Sequence, residues 1–260
     1  FIPQITRRTK GFFMCRLLGF VSADEKTLVE ATGSGFAEFA ALSARHGDGW
    51  GIATCNADEH PTLLTEPTRA KESSAFEEAS HNLKSNGALL HLRWATGDLA
   101  VNNGNTHPFA HGDYSFIHNG AIFPFDAVNS FIDPNFLDLR RGQTDSESYF
   151  YLIVTEIEKL GVEEGIRAAI QIIRENATYS SINAMFLTPT EMYVINEHHN
   201  EKIPTTERSD YYDLFYREDG GEVLVASSGW TQNGWKEIPN HSIMKIDRHT
   251  LTIKINDLNG

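Results

Sequence analysis

Between residues 144 and 176 the apolar residues recur at helical spacing, and on both sides of that stretch they recur at strand spacing. Phe150, Ile153, Val154 and Ile157 fall on one face of a helix that Thr144 can cap, with Glu147 at the fourth position of a capping box. After Gly161 a second helix, over 162–176, carries Ile166, Ala169, Ile170 and Ile173 on one face. Before this pair, Cys15 to Ser22 reads as a buried strand and Ala88 to Trp94 alternates, with Leu90, Leu92 and Trp94 opposite Leu89, His91 and Arg93. Thr27 to Leu42 reads as helical, interrupted at Gly33 and Gly35. Tyr114 to Ile117 is a short strand that should stop at His118-Asn119-Gly120, a turn signal. After the pair come strands over 182–187, 192–196 and 223–227, then a hairpin of 243–246 with 251–255. Strands, two helices and strands again predict sheets stacked between helical layers, with the strand-rich ends of the chain pairing.

Composition narrows the function. A chain of 260 residues with 22 Lys and Arg against 35 Asp and Glu has a net charge of −13. Such a surface is unsuited to neutralising nucleic-acid phosphates or to docking on anionic lipid. No run approaches the roughly 20 apolar residues of a membrane span. The start of the chain imitates an export signal, with Arg7-Arg8 ahead of Phe12, Phe13 and Met14. Arg16 cuts the apolar run, however, and no small-x-small site follows. Two cysteines, Cys15 and Cys55, make no disulfide framework, which fits a reducing compartment. The expectation is a cytoplasmic protein acting on a small molecule, with no nucleic acid and no membrane.

Residues able to carry chemistry gather in irregular, Gly-rich segments, where function tends to sit. Each has an ordinary reading. A cysteine that opens an apolar strand is more often a small buried hydrophobe. Arg93, in an apolar strand, is either an ion-pair partner or an anion binder. Asn119-Gly120 is commonly a turn, and Asp145 suits a helix N-terminus with no ligand. His91, His107, His111 and His118 lack metal-ligand spacing, so no metal is expected. Trp230 and Trp235 flank a loop that either shapes specificity or simply packs.

Taken in order, Met14-Cys15-Arg16-Leu17-Leu18-Gly19-Phe20, His46-Gly47-Asp48-Gly49-Trp50-Gly51-Ile52, His91-Leu92-Arg93-Trp94-Ala95-Thr96, Asn105-Thr106-His107-Pro108, His118-Asn119-Gly120 and Thr144-Asp145-Ser146-Glu147 resemble a known family. It is the class II, N-terminal-nucleophile (Ntn) glutamine amidotransferases, and the likeness is to the small stand-alone members. The resemblance spans about residues 14–255. It implies an α+β fold, a four-layer αββα sandwich of the Ntn-hydrolase type. It also implies a role for each matched position. Cys15 becomes the nucleophile when removal of Met14 leaves it first, and the Asn119 side chain and Gly120 N–H form the oxyanion hole. Arg93 holds the substrate α-carboxylate and Asp145 its α-ammonium, while Trp94 and Thr96 line the glutamine pocket. No cofactor is implied.

The chemistry is coherent. A free α-amine, with a pKa of about 7.7–8.0, can act as base for the thiol of its own residue, which a peptide nitrogen cannot. Residues 1–14 are accordingly expected to be a leader, tag or gene-start artefact ahead of one amidotransferase domain over 15–260. The expected reaction is hydrolysis of the γ-carboxamide of glutamine, or of a related γ-glutamyl amide, through a thioester, with ammonia or an amine released. A separate ammonia-accepting enzyme is a candidate partner. Two other readings stay open: a non-catalytic module that senses glutamine or another amino acid, and an Ntn acylase acting on a different amide.

Overall fold

The computed structural model describes residues 15–56, 59–95, 97 and 99–259. In chain order the elements are β1 (Arg16–Lys26), α1 (Leu28–Thr32), α2 (Phe36–Ala41), β2 (Trp50–Thr54), β3 (Thr62–Glu66), α3 (Ser74–Asn82), β4 (Ser85–Leu92), β5 (Phe109–His111), β6 (Tyr114–Phe123) and α4 (Pro134–Leu137). They continue as α5 (Asp145–Leu160), α6 (Val162–Asn176), β7 (Thr178–Leu187), β8 (Glu191–Asn196), β9 (Leu214–Asp219), β10 (Glu222–Ser227), β11 (Lys236–Glu237), β12 (Ser242–Asp247) and β13 (Ile253–Asp257). Two sheets form, ordered β11-β9-β10-β1-β4-β2-β3 and β13-β12-β8-β7-β6-β5. Their strand pairs are antiparallel throughout.

The period-2 alternation of the strands builds the layers. On one face of the first sheet Leu18, Phe20, Ile52 and Leu90 pack against Leu28, Phe39 and Phe76 of α1, α2 and α3. On the other face Leu17, Val21 and Leu89 meet Ile117, Met185 and Val194 of the second sheet. The outer face of that second sheet, with Phe116, Ile182 and Phe186, is covered by Phe150, Ile153, Ile166 and Ile170 of α5 and α6. The result is a four-layer αββα sandwich. No helix among the described residues is long and apolar enough to cross a membrane.

The expected pairing of the chain's ends is present, with β1 against β10 in the middle of the first sheet. Other expectations need correction. His118-Asn119-Gly120 is not a turn. It lies inside β6, where His118, Asn119 and Gly120 oppose Ala184, Asn183 and Ile182 of β7. The alternation that began at Ala88 stops at Leu92, leaving Arg93 and Trp94 beyond the end of β4. Thr144 does cap α5, its side chain accepting from Glu147 N, but Glu147 does not reach back. Its carboxylate instead accepts from Arg141 N and Gly142 N, both at 2.8 Å, and so shapes the loop before the helix. A reciprocal capping box forms at α1, between Thr27 and Glu30. Trp230 and Trp235 pack on each other with ring centroids 5.3 Å apart, and Trp230 packs edge-on to Phe39, so these rings belong to the helical layer.

Two of the Gly-rich segments meet across the sheet. A Cβ on Gly51 would collide with the His107 carbonyl oxygen and lie 2.8 Å from Pro108 Cδ, so only glycine lets the 105–108 segment cross β2. Gly51→Ala is expected to destabilise the protein by about 1–3 kcal/mol, as other overpacked positions do. A lowered denaturant midpoint with an unchanged m-value is the check.

Candidate active site

Cys15 immediately precedes β1, and Arg16 pairs with Leu92, so the thiol stands beside the segment where the chain leaves β4. Its Sγ accepts from Trp94 N at 3.4 Å and donates toward the Trp94 carbonyl at 3.7 Å. The residue keeps some exposed surface, yet burial pushes the thiol up to about 11. The Trp94 N–H, Arg93 and Arg16 oppose that shift, and Asp145 reinforces it. Such a thiol is protonated at neutral pH and becomes a nucleophile only with a base.

The Gly-rich loop before β2 holds the 93–95 segment in shape. Asp48 N donates to the Arg93 carbonyl at 3.0 Å, Arg93 N to the Gly49 carbonyl at 2.8 Å, and Ala95 N to Asp48 Oδ2 at 2.9 Å. The Trp94 ring is fixed edge-on by His46, with centroids 5.3 Å apart. The Arg45 guanidinium lies 4.8 Å from the Trp94 centroid and is itself paired with Glu207.

Arg93 is 3 % exposed, and among the described residues its guanidinium bonds only main-chain carbonyls, those of Asp48 and Ala100, each at 3.4 Å. No carboxylate forms an ion pair with it among the described residues. Burial lowers its pKa, against the pull of Cys15 and Asp48. Asp145 opens α5 and is also buried. Its Oδ2 accepts from Ile122 N at 2.7 Å, and burial pushes its carboxyl up to about 6 despite hydrogen bonds from Ile122 and Ser146. The site therefore holds one buried cation and one buried anion that are not paired with each other, and both act on the same sulfur. Burying such charges is costly unless something of opposite sign arrives.

Asn119 is fully buried, and neither the nitrogen nor the oxygen of its side-chain amide has a partner among the described residues. Its main-chain carbonyl accepts from Ser181 Oγ at 2.9 Å. An amide donor left idle in the interior is rare. Gly120 has no room for a side chain, because a Cβ would strike the Ser181 carbonyl oxygen. Of the positions expected from sequence, Cys15, Arg93, Trp94, Asn119, Gly120 and Asp145 lie on the segments that meet here; Thr96 lies outside the described residues.

Sequence reasoning missed the supports. Asp48 was visible only as part of a Gly-rich motif, and nothing marked its carboxylate as the acceptor for Ala95. Among the described residues no group of three His, Cys, Asp or Glu could hold a metal, His91, His107 and His118 included. These three histidines form a buried layer instead, with the rings of His91 and His107 stacked 4.1 Å apart. Burial brings His91 down to about 3 and His118 to about 4, and depresses His107 as well, so all three are neutral imidazoles.

The family profile of the class-II glutamine amidotransferases matches residues 14–212. The chain belongs to that family. Among curated relatives, it is 26% identical over 254 residues to an uncharacterized protein of Methanocaldococcus jannaschii, an alignment covering 89% of this chain and 68% of that one. It is 29% identical over 127 residues to a probable glutamine amidotransferase of Saccharomyces cerevisiae, covering 45% of this chain but 35% of the yeast protein. The chain thus spans about a third of the yeast relative. Among solved structures, a glutamine aminotransferase class-II domain protein from Silicibacter pomeroyi superposes with a TM-score of 0.68 at 20% identity, covering 94% of this chain and 99% of that one. The glutamine phosphoribosylpyrophosphate amidotransferase of B. subtilis gives 0.64 at 18% identity, covering 94% of this chain and 49% of that one. The αββα sandwich is therefore the fold of the Ntn-type amidotransferases.

The buried charges set opposite pH trends in stability. Asp145 holds its proton more tightly in the folded chain than in the unfolded one, where its pKa is near 3.8. Its contribution is best below that value and is lost as pH rises through about 6. His91 and His118 work the other way: their contribution is full above about 6.5 and declines as pH falls toward 4. Asp145→Asn keeps an acceptor for Ile122 N and removes the buried charge. It is expected to stabilise the protein at pH 7 by up to about 3 kcal/mol, with the gain vanishing below pH 4. Thermal melts of both proteins across that range are the check.

Proposed function

We propose that this protein hydrolyses the γ-carboxamide of glutamine, or of a related γ-glutamyl amide, through a thioester on Cys15. The observation that carries this reading is one thiol acted on by two buried charges, at Arg93 and Asp145, that form no ion pair among the described residues, with the Asn119 amide buried on the strand whose Ile122 N holds Asp145. A glutamyl head group supplies what the charges lack: an α-carboxylate for Arg93, gripped as only a guanidinium can, and an α-ammonium for Asp145. An acylase for apolar acyl groups has no use for that pair.

In the proposed reaction Cys15 is the first residue of the working chain, and its α-amine takes the thiol proton. Sulfur attacks the side-chain carbonyl carbon. The resulting oxyanion is held by the Asn119 amide and the Gly120 N–H, a service worth about 10²–10³ in rate per donor. The proton passes to the amide nitrogen, the C–N bond breaks, and ammonia or an amine leaves. The amine then takes a proton from water, hydroxide adds to the thioester, and the C–S bond breaks to return glutamate and the thiol. Ammonia goes to solvent or to a separate enzyme that consumes it.

Protein expressed from Met14, with Cys15 first by intact mass, is expected to release ammonia from glutamine or an amine from a γ-glutamyl amide. It should also take up a glutamine-like electrophile at Cys15. Cys15→Ala should abolish both, and retained turnover would refute the assignment. Binding of the ligand with neither turnover nor labelling would favour the sensing module. Arg93→Lys should raise KM by roughly ten- to a hundredfold, the equivalent of a charge-assisted hydrogen bond, with a smaller effect on kcat. Since Asp145 must be charged to hold an ammonium, kcat/KM should fall as pH drops through about 6. A flat profile between pH 7 and 5 would remove Asp145 from that role.

A further inference from the structure

Strand β6 presents His118, Asn119 and Gly120 in succession, and α5 opens with Asp145 and Ser146. Two side-chain contacts join the strand to the helix and bracket the Asn119-Gly120 dipeptide. On one side Ile122 N donates to Asp145 Oδ2 at 2.7 Å. On the other, His118 Nδ1 meets Ser146 Oγ at 2.9 Å. His118 Nε2 faces the Ser181 carbonyl at 3.4 Å, and a carbonyl can only accept, so Nε2 carries the hydrogen and Nδ1 accepts the Ser146 hydroxyl proton. Both ring nitrogens are thereby engaged, and the imidazole is not free to serve Cys15 as a base. The ring is buried and stands edge-on to Tyr149, one turn further along α5, at 5.4 Å.

The main chain of the same residue reaches the other half of the site. The His118 carbonyl accepts from His91 Nε2 at 3.1 Å, and His91 lies on β4 two residues before Arg93. One residue thus contacts the helix that carries Asp145, the strand that leads to Arg93, and, through its own peptide bond, Asn119.

We infer that His118 is a positioning residue that holds the Asn119-Gly120 dipeptide in register with Asp145 through Ser146, and in register with Arg93 through His91. The inference rests on the reaction proposed above, in which these groups grip two ends of one substrate molecule. A shift of about 1 Å between the oxyanion donors and the ammonium grip would cost roughly a hundredfold in rate.

The test compares Ser146→Ala, His118→Phe, the double variant and His118→Asn. Each is assayed on glutamine, or on the γ-glutamyl amide that the unmutated chain turns over. Rates are expressed per active site, counted by labelling Cys15 with a glutamine-like electrophile, so that loss of folded protein does not enter them. Either single change should lower kcat/KM by roughly ten- to a hundredfold, with a fall in kcat as well as a rise in KM. The double variant should fall no more than about threefold below the worse single, because both remove the same bond. His118→Asn, whose Oδ1 can accept from Ser146, should recover most of the loss. Unchanged per-site rates in Ser146→Ala, losses that multiply in the double variant, or an asparagine no better than phenylalanine would each overturn the inference. An unmutated chain that neither turns over γ-glutamyl amides nor takes the electrophile would overturn the proposed reaction, and this inference with it.

Discussion

The antiparallel pairing of β1 with β4 is the constraint from which the site follows. Arg16 opposite Leu92 sets the residue before one strand beside the residues after the other, so Cys15 meets Trp94 although 79 positions separate them. Each strand alone would leave its terminal groups in solvent. Paired at the middle of a seven-stranded sheet, with a second sheet behind, they hold the thiol and the guanidinium in a place that neither strand could create. The main-chain bonds among Asp48, Gly49 and Arg93 extend the ladder past the end of β4 and keep this segment from relaxing.

Against that rigid frame the site is under-satisfied. Among the described residues the Asn119 amide is idle and Arg93 has only long contacts to carbonyls, while Asp145 holds a carboxyl whose pKa has climbed to about 6. The apolar layers offset these costs, since a buried Leu, Ile or Phe contributes about 1.5–3 kcal/mol and dozens are available. Groups held ready in this way need not reorganise when a charge develops nearby. The histidine layer is a quieter version of the same arrangement: polar rings kept neutral by burial and used as spacers between strands.

The layer order could be read from sequence because it depends on periodicity. Ile166, Ala169, Ile170 and Ile173 announce their helix face without reference to anything distant. The same local logic failed at His118-Asn119-Gly120. Turn propensity is a property of a short peptide, while inclusion in β6 is decided by pairing with β7 and by the approach of the Ser181 carbonyl. Glu147 shows a related limit. The capping pattern identified the helix start, but the carboxylate found better donors in Arg141 and Gly142. The principal residues of the site came from a resemblance in motif order, whereas Asp48, Ser146 and Ser181 act through contacts that no spacing encodes.

The pairing of Arg45 with Glu207 ties the wall around Trp94 to a stretch more than 160 residues further on. That stretch, between β8 and β9, contributes none of the groups assigned to bond making or breaking. Under the proposed reaction, selection can therefore rework this stretch while the groups assigned to bond making stay unchanged. Divergence among such proteins should accumulate at this border sooner than at the centre.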